Sequence, residues 1–405
     1  MDLSSLTRLK KLLSSGWLLS LFLVAFLGTT AFRMVIPAVA YYARTELMLS
    51  MGFLSVLSMA FLSARALTAP LAGYLIDRRG LRTIIPILPI LGSIILILYN
   101  YLRSFTFFLM LRVFQGIVSG FFWIFIQVSI ASNTPIEWRG TALALYFASG
   151  SIGVFMGNLL YSIIAPINST YIFPTAFTLS AASAPLTYLA IRSNRVRIEV
   201  RREEPREKSG RGFPIHPLLL TSFIVAFIGA ILVGDPIYVY LSEFAGISKE
   251  ASALILGVTG VLGLIASIPI SMIADKISED YAIIIIAFMT CLAPFLLAVK
   301  SYQVIVIGLL AAGVSWKAYT PLSRRLAASY RRRAGTTIGL VNSFMNLGTV
   351  VGLLVFGWSY DLFQGIVLNL MGLGINPAPL TLSLLAPILI LSILSLRRRG
   401  AIESR

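Results

Sequence analysis

Gly73-Tyr-Leu-Ile-Asp-Arg-Arg-Gly-Leu-Arg82 is the stretch on which the reading of the fold turns. An apolar run from Ser50 to Ile76 leads into it and another, Thr83 to Leu102, follows, so charges and two glycines sit at a hydrophobic boundary. A helix needs ~20 apolar residues to cross ~30 Å of hydrocarbon. Both flanking runs meet that length, and the stretch between them reads as a short polar turn joining two membrane helices.

Each residue type in the turn has a physical task. Gly73 lets a neighbouring helix approach closely, Asp77 caps the turn or accepts from backbone N–H groups and a nearby arginine, and Gly80 permits positive φ where the chain reverses. Arg78, Arg79 and Arg82 hold the turn on the cytoplasmic side. The pattern G-x-L-x-D-R-x-G-x-R after a second apolar segment resembles the loop signature of the major facilitator superfamily of secondary transporters. That resemblance implies an all-α membrane protein with twelve transmembrane helices in two pseudo-symmetric six-helix bundles. It also implies that Gly73, Asp77, Arg78, Gly80 and Arg82 form a conformational gate on the cytoplasmic face.

Composition agrees with the membrane reading. Of 405 residues, 58% are hydrophobic and 12% charged, about half the charged share of a soluble domain. The net charge of +17 would suggest nucleic acid in a soluble protein. Here the cations lie in short turns between apolar runs, where the positive-inside rule accounts for them and no nucleic-acid partner is needed. One cysteine, Cys291, and one histidine, His216, exclude an intramolecular disulfide, a thiolate metal cluster and a His-rich site. No cofactor or metal is expected.

The apolar periodicity predicts helices over 16–42, 48–76, 83–102, 105–131, 140–165, 171–191, 217–242, 251–274, 281–299, 302–327, 334–360 and 378–396. Residues 361–377 are apolar but interrupted by glycines and Pro377, and either extend the last helix or lie along the outer interface. Basic residues concentrate in every second turn, on one side of the membrane, which places both termini in the cytoplasm and the protein in the cytoplasmic membrane as a multi-pass chain. The polar run Arg192 to Pro214 has the composition of a solvated linker. The expected domains are therefore 1–191, a linker over 192–216, and 217–405.

Across that linker the sequence weakly repeats. Ala25-Phe-Leu-Gly28 is echoed by Ala226-Phe-Ile-Gly229, Ile36-Pro37 by Asp235-Pro236, and Leu75-Ile-Asp77 by Ile273-Ala-Asp275. Two parallel halves are what the resembled fold contains. Helix four adds Arg112-Val-Phe-Gln-Gly116, similar to the R-x-x-Q-G pattern of many facilitators, and the resemblance ties Arg112 to the conformational or proton cycle. Helix five carries Gly150, Gly153 and Gly157, spaced for tight helix packing. The Gly-Pro pair of the antiporter segment in drug exporters is absent there.

Ionisable residues deep in a bilayer are costly, so each is a candidate for function. Arg65 lies twelve residues before Asp77, roughly 18 Å up the helix, with Thr68 and Ser58 on its side. Arg33 either faces a cavity as an anion contact or pairs with Asp235. Arg112 heads a stripe of Gln115, Ser119, Trp123 and Gln127 that points inward. Lys317 closes on an anionic group or snorkels to the inner headgroups. Asn342 and Asn346, spaced i, i+4, bind a neighbouring helix or the solute. Four deep cations against one deep carboxylate predict a small anionic solute, organic or phosphate-bearing, contacted by Arg33, Arg65, Trp123, Gln127, Lys317, Asn342 and Asn346. Asp235 is the candidate proton-coupling group. A hydrophobic or cationic drug would call for cavity acids instead, which makes a proton-coupled multidrug antiporter the alternative.

The helices hold no H-E-x-x-H, no aspartate-rich pair and almost no acids, so a membrane enzyme is not expected. A transport-fold sensor without flux shares every feature above and differs only in a flux assay. The resemblance implies that a monomer suffices, with the lipid bilayer and a coupling proton as the remaining partners.

Overall fold

The computed structural model describes residues 12, 14–79, 85–101, 103–192, 216–329, 334–370 and 372–403. Within them the chain is helical almost throughout. In order come α1 (Gly16–Thr45), α2 (Met51–Arg79), α3 (Ile87–Leu98), α4 (Phe105–Asn133), α5 (Ile136–Asn168), α6 (Ile172–Arg192), α7 (His216–Ile228) and α8 (Pro236–Glu243). Then follow α9 (Lys249–Lys276), α10 (Glu279–Ala298), α11 (Tyr302–Ser329), α12 (Ala334–Leu362), strands β1 (Leu368–Leu370) and β2 (Leu373–Ile375), and α13 (Ala386–Glu403).

Eight helical stretches among the described residues are long and apolar enough to cross a membrane. One of them, Thr141–Arg192, runs 52 residues through α5 and α6, enough for two crossings at ~20 residues each. α7 and α8 qualify together as one broken span, and the shorter apolar helices Ile87–Leu98 and Pro379–Leu394 take the places of the expected third and last helices.

The seventh expected helix, 217–242, is not continuous. Pro217–Leu232 and Pro236–Glu243 meet at a bend of 53°. Pro236 has no N–H to give, and the Asp235 N–H, which an unbroken helix would spend on a carbonyl one turn back, donates instead to Ser58 Oγ at 2.9 Å. A 3-10 turn over Gly229–Leu232 tightens the chain before the break.

Residues 361–377 do not extend the last helix, because their central part is a hairpin. Leu368–Leu370 and Leu373–Ile375 form an antiparallel hairpin with Leu368 opposite Ile375. Gly365 and Gly372, at φ of 79° and 81°, supply the left-handed turns that a side chain would resist. The hairpin is tied to the turn between α10 and α11, where Lys300 N–H donates to Gly374 C=O at 2.7 Å and Asn376 N–H to Ala298 C=O at 2.8 Å.

Contacts divide the chain into two compact units, Met1–Val39 with Ser63–Ser209 and Ala40–Leu62 with Gly210–Arg405. In the first, the α5 glycines lie directly on α1: a Cβ at Gly153 would stand 2.7 Å from Phe26 C=O, and one at Gly157 2.5 Å from Thr30 C=O. The second repeats the device, with Gly348 and Gly352 of α12 against the carbonyls of Phe223 and Phe227 on α7. Such backbone approach is what small residues provide where apolar lipid gives helices no hydrophobic reason to associate.

The repeated Ala-Phe-x-Gly segment has a structural counterpart too. Gly28 faces the indole of Trp123, from α4, with Cη2 3.3 Å from where a Cβ would lie, and Gly229 faces Trp316, from α11, with Cε3 at 3.0 Å. Each unit thus carries a tryptophan seated on a glycine of its leading helix.

Gly80 and Arg82 lie outside the described residues, as does the linker from 193 to 215. α2 stays helical through Arg79, so the backbone puts Gly73, Asp77 and Arg78 on its last turns rather than in a turn of their own.

Candidate functional site

In the first unit four helices converge on a basic, half-buried constellation. α2 contributes Arg65, and α4 reaches it because Gly120 has no side chain: a Cβ there would meet Arg65 C=O at 3.1 Å and Thr68 Cβ at 2.9 Å. One and two turns further along α4 stand Trp123 and Gln127. α5 contributes Tyr146, which is buried and has its ring centroid 6.4 Å from that of Trp123. α1 contributes Arg33, whose Cβ would sit 2.8 Å from a Cβ on Gly157.

The two arginines come from helices that glycine contacts hold within this unit, α1 on α5 at Gly157 and α2 on α4 at Gly120. Both are half-buried, and neither makes a hydrogen bond or ion pair among the described residues. Two guanidiniums held near one another in low-dielectric surroundings repel, and that repulsion falls when an anion joins them. Of the sequence expectations for Ser58 and Thr68, only Thr68 stays with Arg65, since the Ser58 hydroxyl belongs to Asp235.

α4 presents the expected stripe inward. Arg112 and Gln115 are buried and Ser119, Trp123 and Gln127 half-buried, whereas Phe107, Met110 and Phe114 on the other face are exposed as a lipid-facing surface would be. Arg112 is only 2% exposed. Its Nη1 donates to Gln115 Oε1 at 3.2 Å, the Tyr99 hydroxyl donates to the same oxygen at 3.0 Å, and the guanidinium carbon lies 5.5 Å from the centre of the Tyr99 ring. Arg112 is therefore engaged inside the bundle, and so is Lys317, half-buried on α11 beside Trp316. The anion argument from four deep cations reduces to Arg33 and Arg65.

In the second unit Asp235 is 3% exposed. It forms a reciprocal pair with Ser58: the Ser58 hydroxyl donates to Asp235 Oδ2 at 2.6 Å and accepts from the Asp235 N–H. Asp235 thus stands at the helix break with its carboxylate held by a hydroxyl. Asn342 accepts from Arg324 Nη2 at 3.3 Å, a bond between α12 and α11, and Asn346 is exposed.

A further polar cluster in this unit had no place in the sequence reading. Arg44, at the end of α1, holds Glu243 of α8 through two bonds, Nε to Oε1 at 2.6 Å and Nη2 to Oε2 at 3.1 Å, and the Tyr360 hydroxyl donates to Oε2 at 3.1 Å. Asp361 accepts from the first two N–H groups of α2, Met51 at 2.8 Å and Gly52 at 2.7 Å, so a side chain from α12 caps α2. The charges were visible in the sequence, but a partner 199 residues away leaves no local pattern.

The sequence profile described as the Major Facilitator Superfamily matches residues 21–353. The chain belongs to that superfamily. As a facilitator it is a multi-pass membrane transporter and not an enzyme, and its fold is the all-α one expected. It is 24% identical over 382 residues to multidrug resistance protein 2 of Bacillus subtilis, covering 89% of this chain and 93% of the relative. It is 27% identical over 351 residues to the multidrug resistance protein MdtG of Salmonella choleraesuis, covering 81% and 84%. Among solved structures, a mutant of the nucleoside transporter NupG superposes with a TM-score of 0.71 over 94% of this facilitator and 98% of that chain, at 12% identity.

Proposed function

We propose that this facilitator carries a small organic or phosphate-bearing anion across the cytoplasmic membrane by alternating access, with residues 1–191 and 217–405 as rocking halves and 192–216 as their cytoplasmic linker. The observation that carries the reading is the pair Arg33 and Arg65, half-buried in the same unit, with neither a hydrogen bond nor an ion pair among the described residues. Gln127 and Tyr146 add neutral hydrogen-bonding groups beside them, suited to orienting a solute without repelling its charge. Trp123, Lys317, Asn342 and Asn346 complete the proposed solute contacts.

Asp235 is the proposed proton carrier, with Arg112 as the charge that responds to the cycle. The segment holding Gly73, Asp77, Arg78, Gly80 and Arg82 is the proposed inner gate. Both termini face the cytoplasm, and a monomer completes the cycle. Purified protein in vesicles tests this: saturable uptake of organic anions, abolished by Arg33→Gln or Arg65→Gln, is the expected result.

A second reading, proton-coupled multidrug efflux, is favoured by the names of the Bacillus and Salmonella relatives. It predicts transport of cationic dyes with no competition from organic anions, and that outcome would replace the anion reading.

A further inference from the structure

Trp123 has a use that packing alone does not explain. Its six-membered edge lies against Gly28, with Cη2 and Cζ2 3.3 and 3.6 Å from the position of a Cβ. Phe122 meets it edge-on with ring centroids 5.2 Å apart, and Tyr146 stands 6.4 Å away on another side. The ring is thus fixed by three neighbours and still only half-buried. A rigid, partly open indole gives a flat surface whose rotamer freedom is already lost before anything binds.

α1, α4 and α5 fix the ring; α1 also carries Arg33, and Arg65 stands on α2, which packs on α4 at Gly120. Tyr146 of α5 stands beside the ring, and Gly120 brings α2 at Arg65 against α4 one turn before Trp123. A second glycine-seated tryptophan, Trp316 on Gly229, recurs in the other unit with Lys317 next to it in sequence.

We propose that the solute is an aromatic anion, its ring stacked on Trp123 and its carboxylate or phosphate held by Arg33 and Arg65. The proposal rests on the anion reading above and narrows it. Aromatic pairs gain about 0.5–1.5 kcal/mol beyond area burial, which corresponds to about a two- to ten-fold difference in affinity.

The test uses the full chain in detergent, with benzoate, 1-naphthoate and cyclohexanecarboxylate as probes, read by thermal shift and titration calorimetry. Naphthoate and benzoate should bind about two- to ten-fold more tightly than the alicyclic acid. Trp123→Ala should bring the aromatic acids down to the alicyclic level and leave the alicyclic acid unchanged, while Trp123→Phe keeps the ranking. A purely packing role would lower the melting temperature without altering that ranking. Equal affinities for benzoate and cyclohexanecarboxylate in the unaltered protein, or equal weakening of both by Trp123→Ala, would overturn the aromatic proposal and leave the anion reading standing. Binding of none of the three acids would overturn both. If Trp123→Ala does not fold, the comparison of acids on the unaltered protein still decides.

Discussion

Replacing Glu243 by Gln keeps the side chain's shape and removes its charge. Glu243 receives two bonds from Arg44, at 2.6 and 3.1 Å, and one from Tyr360 at 3.1 Å. Glutamine retains one acceptor oxygen and turns an NH2 toward a guanidinium that also donates, so one of the Arg44 bonds is lost together with the charge attraction. A hydrogen bond to a charged group contributes about 1.5–3 kcal/mol. The side chains of Arg44 and Glu243 are 17% and 32% exposed, and solvent screening discounts that to about 1–2 kcal/mol. This pair ties the end of α1 to α8, beside the point where Asp361 of α12 caps α2. The expectation is that breaking it frees the segment 40–62 from α8 and α12 about 5- to 30-fold more often.

Ser55 is the reporter, being fully buried on α2 with its Oγ in the space that a side chain on Gly357 would need. In a Cys291→Ser background, Ser55→Cys should react with a membrane-impermeant maleimide only when α2 parts from α12, at a rate set by the open population. Glu243→Gln should raise that rate about 5- to 30-fold, Arg44→Gln should do the same, and the two together should add nothing further. Rates within twofold of the parent for both single variants would refute the assignment.

Other outcomes follow from the same geometry. Gly157→Leu forces a side chain onto the α1 backbone at Thr30 and should lower stability by about 1–3 kcal/mol, seen as a reduced melting temperature. Asp361→Ala removes the cap of α2 and should cost about 1 kcal/mol, measured by the same melting curves. Ser58→Ala leaves a buried carboxylate one donor short, a loss of about 1–3 kcal/mol, and Asp235→Asn should restore part of it in the double variant. If Asp235 carries the coupling proton, Asp235→Asn should also abolish the pH dependence of uptake in vesicles, and an unchanged profile would point to another coupling group.

The helices were legible because a membrane span has a strong one-dimensional signature: enough apolar residues in a row, bounded by charges. The break in the seventh was not, although Gly234-Asp235-Pro236 stands in the sequence. Proline alone does not decide it, for Pro37 at the matching place of the repeat sits inside an unbroken α1. What differs is the Ser58 hydroxyl, which takes the Asp235 N–H, and that contact spans 177 residues. The hairpin near residue 370 escaped for the opposite reason: two positive-φ glycines determine it locally, but three-residue strands are too short for periodicity to register. Within the candidate site Arg33, Arg65, Trp123 and Gln127 could be named from depth and helical spacing. Tyr146 could not, because a tyrosine in an apolar run looks like any other core aromatic until its ring is seen beside Trp123.

The two units share helix packing and a glycine-seated tryptophan, yet their charges have diverged. In the first, Arg33 and Arg65 stand unpartnered among the described residues, while Arg112 Nη1 donates to Gln115 and the guanidinium lies over the Tyr99 ring. In the second, the buried charge is an acid, Asp235, placed where its helix breaks. A cargo site needs cations that pay no standing pairing with protein carboxylates, since a resident partner would compete with the solute. A proton carrier needs a carboxylate that can change charge without unfolding its surroundings, which a helix break and a neutral hydroxyl partner permit. Under the proposed function the two tasks would fall to different units, while the Ala-Phe-x-Gly segment recurs in both, at Gly28 and Gly229. The division has a direct consequence: Arg33→Gln should weaken anion binding at every pH, whereas Asp235→Asn should leave anion binding in place and remove only its coupling to the proton.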